Sequence, residues 1–159
     1  MRYLLLAVTF VLLNSLNTVF AADTNVMIHE PWVREAPPNA KMMAGYFSIM
    51  NMSKHDKSLV GASSPQFKKV ELHRSIMEGD MMKMVAQKKV EIHAGQTVKF
   101  EPGSYHLMLM HPVKPLKAGD TVELTLKFSS GDTMKFNAPV KKGNGDHHMN
   151  EHMHMHMNM

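Results

Sequence analysis

An all-β fold, an antiparallel sandwich or barrel, is what this 159-residue sequence predicts. Three observations carry it. Short apolar runs alternate with turn signals through residues 43–140, helical periodicity is nowhere sustained, and several runs alternate apolar and polar residues with a period of two. The length suits one domain.

The strands follow in order. An entry strand spans Met27 to Arg34, ahead of a Pro37-Pro38 loop. Gly45 to Met50 stops at Asn51, and Ser58 to Ala62 stops near Pro65. Lys69 to His73 puts Val70 and Leu72 on one face and Glu71 and His73 on the other. Met81 to Val85 follows the Glu78-Gly79-Asp80 turn. Val90 to His93 and Thr97 to Phe100 flank Ala94-Gly95. Pro102-Gly103 introduces Tyr105 to Met110, Gly119-Asp120 introduces Thr121 to Phe128, and Ser130-Gly131-Asp132 introduces Thr133 to Val140. In Tyr105 to Met110, Tyr105, Leu107 and Leu109 share one face and His106, Met108 and Met110 the other. If the leucine face is core, the histidine–methionine face points outward or into a cleft. Trp32, the one tryptophan, is expected in the core.

Two flanking segments lie outside this domain. Arg2 and an apolar run from Leu4 to Leu13, followed by Val19-Phe20-Ala21, form a signal peptide cleaved after Ala21, so residues 1–21 are excluded from the fold. Asn14 and Asn17 interrupt the run before it reaches membrane-spanning length, so no stable membrane insertion is expected. The domain is then residues 22–140, outside the cytoplasm, and 141–159 is a tail without a core.

Composition narrows the chemistry. Eighteen methionines and eleven histidines accompany no cysteine. Disulfides, thiolate zinc sites, iron–sulfur clusters, cysteine nucleophiles and blue-copper centres are thereby excluded. A net charge of +4 with scattered bases is not that of a nucleic-acid binder. Thioether and imidazole donors suit Cu(I), a soft d10 ion, and a thioether adds little for zinc. Methionine also holds Cu(I) in an oxidising compartment, where cysteine tends towards disulfides.

Ten residues separate His73 from Met84, twenty-one separate Met84 from His106, and Leu107 alone separates His106 from Met108. This spacing, with Val70-Glu71-Leu72-His73, Met81-Met82-Lys83-Met84, Pro102-Gly103-Ser104-Tyr105, Pro31-Trp32-Val33-Arg34 and Ala44-Gly45-Tyr46-Phe47 around it, resembles the periplasmic copper chaperones called PCu(A)C proteins over residues 26–140. The resemblance implies a cupredoxin-like antiparallel β-sandwich in which His73, Met84, His106 and Met108 bind one Cu(I). It also implies delivery to the CuA centre of cytochrome c oxidase subunit II, often alongside a Sco-type thiol protein. Arg74 and Ser75 stand where many members carry a methionine. Met77 is the nearest substitute and receives no ligand role. Met81 and Met82 read as shell or core, Met110, on the outward face with Met108, as a shield of the metal from water, and His93 as surface; His29, His55 and His111 stay unassigned.

The tail is a second copper feature. From His147 to Met159 the chain holds five histidines and five methionines in thirteen residues, after a Gly143-Asn144-Gly145-Asp146 joint. With no apolar periodicity to bury, it is expected to be disordered without metal. His147, His148, His152, His154 and His156 suit Cu(II), and Met149, Met153, Met155, Met157 and Met159 suit Cu(I).

The sequence therefore predicts a periplasmic copper chaperone, not an enzyme, working as a monomer or a metal-dependent weak dimer. A copper buffer that sequesters the metal without a dedicated client is the alternative, favoured by the tail.

Overall fold

The computed structural model describes residues 25–143; the expected leader and the His147–Met159 tail lie outside the described residues. Ten strands and no helix make up the described chain: β1 (Val26–Arg34), β2 (Met42–Asn51), β3 (Lys57–Ser63), β4 (Phe67–Glu78), β5 (Met81–Ala86), β6 (Val90–Ile92), β7 (Thr97–Phe100), β8 (Tyr105–Pro112), β9 (Thr121–Phe128) and β10 (Thr133–Lys141). Every strand expected from the sequence is present.

The strands hydrogen-bond in the order β5-β4-β8-β7-β2-β1-β10-β9-β3-β6, and β8 also pairs with β2. Pairing is antiparallel except at two places. The ends of β1 and β10 run parallel through Val33–Val140 and Arg34–Lys141, and β7 meets β8 in parallel at Phe100–Tyr105. Divided at the β1–β10 junction, the two halves of this order contribute to one apolar cluster, with Val33, Phe47, Ile49, Leu72, Leu107 and Leu109 from the first and Leu59, Ile92, Leu124, Leu126 and Val140 from the second. The two halves thus share a single core, as in a sandwich. β9 shows why its sequence forms a one-sided strand: Val122, Leu124, Leu126 and Phe128 are buried while Thr121, Glu123 and Lys127 are exposed.

Three local features were not legible in the period-two pattern. β1 carries a one-residue register shift between His29 and Trp32, at Glu30 (φ 48°) and Pro31, which has no N–H to give the ladder. The extra residue lets even-numbered Ile28 and odd-numbered Val33 both pack on the core. β4 runs past His73 to Glu78 and forms a hairpin with β5, closed by Gly79-Asp80 with Gly79 at φ 61°; glycine at the first position of a two-residue turn matches the twist of the strands. Asn51, expected only to stop β2, is fully buried. Its Nδ2 donates to the carbonyls of His55 (2.8 Å) and Ile92 (2.9 Å), and its Oδ1 accepts from the Ser53 amide and hydroxyl.

Trp32 is a correction: it is half-buried and outside the core cluster. Its ring lies 4.7 Å from that of Tyr46, and the Arg34 guanidinium sits 5.9 Å and 5.6 Å from the two rings. The bulge turns Trp32 away from the core, so an indole N–H need not be buried there. Beyond β10, Gly143 packs directly on the Arg34 side chain, 3.1 Å separating Arg34 Nε from where a Cβ would stand.

Candidate metal centre

Strand register brings all four expected ligands to one face. In β4 and β8, Leu72 pairs with Leu107 and Val70 with Leu109, and these side chains join the core. The intervening pairs, His73 with His106 and Glu71 with Met108, therefore project from the opposite face. Across the hairpin His73 pairs with Ala86 and Ser75 with Met84, which puts Met84 on that face too, diagonal to His73. Three separated segments thus meet because alternation sends the leucines inward and the ligand-type residues outward.

Outward does not mean exposed. His73 and His106 are buried, at 8% and 4% exposure, although they face away from the core. Each stands on a strand flanked on both sides by others. Met108 is half-buried, and Met84, on edge strand β5, is 58% exposed.

The two imidazoles lie side by side, ring centroids 5.8 Å apart and planes inclined by 45°. Each has one nitrogen committed. His73 Nε2–H donates to Glu71 Oε2 at 2.9 Å, and His106 Nδ1–H donates to the Ser104 carbonyl at 3.2 Å. Carboxylate and carbonyl oxygens only accept, so the proton of each neutral ring is held there and the other nitrogen keeps a lone pair. Those other nitrogens, His73 Nδ1 and His106 Nε2, are buried with no hydrogen-bond partner. A buried polar atom left unpaired costs about 1–3 kcal/mol, and each of these two lone pairs is open to an electrophile. An acceptor fixing one nitrogen of a ligating histidine is what metal sites use to set tautomer and ring direction. Glu71 and Ser104 were missed as supporting residues. The signal for Glu71 was available, since it precedes His73 by two on the same strand face.

The donor set discriminates among metals. Among the described residues, no three His, Cys, Asp or Glu side chains gather as a metal group. Met84 and Met108 share the face of the two imidazoles, and a mixture of imidazole and thioether donors is one that suits a soft monovalent ion.

Local electrostatics keeps the site ready. Burial holds the His106 pKa below the ordinary imidazole value, and neighbouring His73 adds to this against the Ser104 bond. His93, on the surface with Asp56 at 2.8 Å, is raised by that hydrogen bond and charge. As pH falls, the unfolded chain takes up a proton at His106 before the folded one does. Its stability contribution is therefore present above the ordinary value and lost as pH falls. His93 behaves oppositely, contributing below the ordinary value and losing its effect as pH rises through the raised one. Histidine ring resonances followed by NMR without metal should show His93 titrating at a higher pH than His106. The reverse order would contradict the burial of His106.

His147, His148, Met149, His152, Met153, His154, Met155, His156, Met157 and Met159 lie outside the described residues. His93 is on the surface, as expected.

Comparison with known proteins agrees with this architecture. Residues 26–140 match the family described as "Putative lipoprotein LpqE-like". The Leifsonia xyli protein Lxx21020 is 32% identical over 121 residues, which is 76% of this chain and 72% of that one. The solution structure of CuI-DR1885 from Deinococcus radiodurans is 34% identical, with TM-score 0.57 over 74% of this chain and 78% of its own. A copper-bound PCuAC domain from PmoF2 superposes with TM-score 0.64 at 21% identity, over 75% of this chain and 94% of that domain, a likeness of fold. The cupredoxin-like sandwich expected from the sequence is thus the fold observed, and the chain belongs to the LpqE-like family.

Proposed function

We propose that this chain is an exported copper-binding protein, not an enzyme, that holds one Cu(I) with His73, Met84, His106 and Met108 and passes it to a recipient protein. The observation that carries the reading is the pair of buried, unpartnered nitrogens, His73 Nδ1 and His106 Nε2, side by side on one sheet face. The copper-bound title of a relative at 34% identity supports copper as the cargo. The leader of residues 1–21 supports export to the periplasm, as does the lipoprotein description of the family.

The ion is cargo, and the ligands divide the labour. The imidazoles are anchored by Glu71 and Ser104 and hold it against the sheet. Met84 stands exposed on the edge strand, so a donor from a recipient replaces it first, and the metal moves by successive ligand exchange without ever becoming bare. Thioethers carry no proton, so their exchange needs no acid or base. The recipient is the CuA site of cytochrome c oxidase subunit II, with a Sco-type protein as co-worker. The tail residues His147 to Met159 bind further copper and feed the folded site.

Anaerobic titration of Cu(I), in competition with a chromophoric chelator, tests the site in a chain ending at Lys142. One tight equivalent is expected, and it should transfer to a metal-free CuA-bearing oxidase fragment. Tight binding without transfer would favour a copper buffer, and no tight binding without the tail would remove the folded site from the function.

A further inference from the structure

β5 gives nothing to the core, yet three of its six residues are methionine, and all six are exposed. Met82 of β5 pairs directly with Met77 of β4. Both are well exposed, at 63% for Met77 and 60% for Met82. They stand two cross-strand pairs beyond Ser75–Met84, past Ile76–Lys83, and on the same face, since alternate pairs of a ladder share a face. Along that face the pairs run Met77–Met82, Ser75–Met84, then His73 with His106 and Ala86, then Glu71–Met108. Thioethers therefore extend from the hairpin turn to the imidazole pair.

We propose that Met77 and Met82 form an accessory thioether site for a soft monovalent cation, sharing Met84 with the site of His73, His106 and Met108. Directly opposed residues of an antiparallel pair place their Cβ atoms about 4.5–5.5 Å apart. The unbranched, three-torsion methionine side chain lets two sulfurs close on one ion. Successive pairs on one face are two residues apart, about 6.8 Å, so Met84 can turn towards either neighbour. An apolar docking surface would be served as well by leucine or valine, which differ from methionine here in lacking a donor. Two or three neutral thioethers without imidazole bind more weakly and exchange faster than the main site, which suits a point of entry and exit. This inference rests on the reading of Met84 as a ligand.

The test is Ag(I), a redox-inert soft cation, titrated into the full chain labelled with 13C at the methionine methyls. The Met84 and Met108 resonances are expected to shift first, and those of Met77 and Met82 to follow as more Ag(I) is added, with a second change at Met84. In Met77→Leu/Met82→Leu, which keeps the apolar surface, the first shift of Met84 should remain and the second should vanish. If Met84 and Met108 shift while Met77 and Met82 stay unmoved, the accessory site is overturned and the four-residue site stands. A second Met84 change that survives in the leucine variant overturns it equally. If Met84 and Met108 also stay unmoved, both readings fall.

Discussion

Replacing His106 with leucine is expected to eliminate Cu(I) binding at the sheet while leaving the metal-free domain about as stable as before. In the absence of metal, His106 Nε2 is buried and unpaired, at a cost of about 1–3 kcal/mol, and its one compensating bond, to the Ser104 carbonyl, returns about 0.5–1.5 kcal/mol. Leucine removes the cost and the bond together. The net effect is close to zero or a gain of about 1 kcal/mol, a few degrees in Tm for a domain of this size. Saturating Cu(I) is expected to stabilise the unaltered domain by mass action, by about 4 kcal/mol at a thousandfold excess over Kd, and this increment should be missing from the leucine chain. Anaerobic thermal unfolding of the chain ending at Lys142, with and without Cu(I), reads both effects. A leucine variant that unfolds far more easily without metal would make His106 a packing residue and remove the main support for the site.

The largest loss of stability near the site should come from the next residue along β8. Leu107 is fully buried, pairs with Leu72 on the core face and lies across from Gly45, where a Cβ would meet it at 3.5 Å. Truncation to alanine leaves a cavity between strands that cannot close up, at a cost of about 2–5 kcal/mol. Met108→Leu, on the opposite face, is a volume-conserving change expected to cost less than about 1.5 kcal/mol. It should nevertheless weaken Cu(I) at least about tenfold, or about 1.4 kcal/mol. Urea unfolding together with copper competition on the two variants separates the two faces of one strand. Equal loss of stability in both would mean that the thioether is there for packing.

Alternation in the sequence foretold which residues share a face, because that property is local to each strand. Leu72 opposite His73, and Leu107 opposite His106, were assigned to the correct sides from the period of two alone. Burial of the histidines was not foretold, because it depends on which strands flank them, and β4 and β8 become neighbours only in the folded sheet. The continuation of β4 through Arg74, Ser75 and Met77 was missed for a related reason. Polar residues in an edge hairpin break the apolar pattern that marks a strand, yet pairing with β5 holds them extended. Trp32 was misassigned because a single bulged residue at Glu30-Pro31 reverses every later side chain of β1. Asn51 looked like a stop signal and is a clamp, since composition does not reveal which carbonyls a buried amide will meet.

Gly143, seated on Arg34, fixes where the chain departs. Arg34 pairs with Ala44, and Ala44 with Met108, so the departure point shares the side of the sheet that carries Met108 and the two histidines, two strands away, or about 10 Å. The four residues from Asn144 to His147 span up to about 13 Å when extended. His147 and every donor after it are consequently tethered within covalent reach of Met108. On the proposed reading, a copper ion held by those donors would meet the folded site at the millimolar local concentration that a short leash imposes, whatever the scarcity of copper outside.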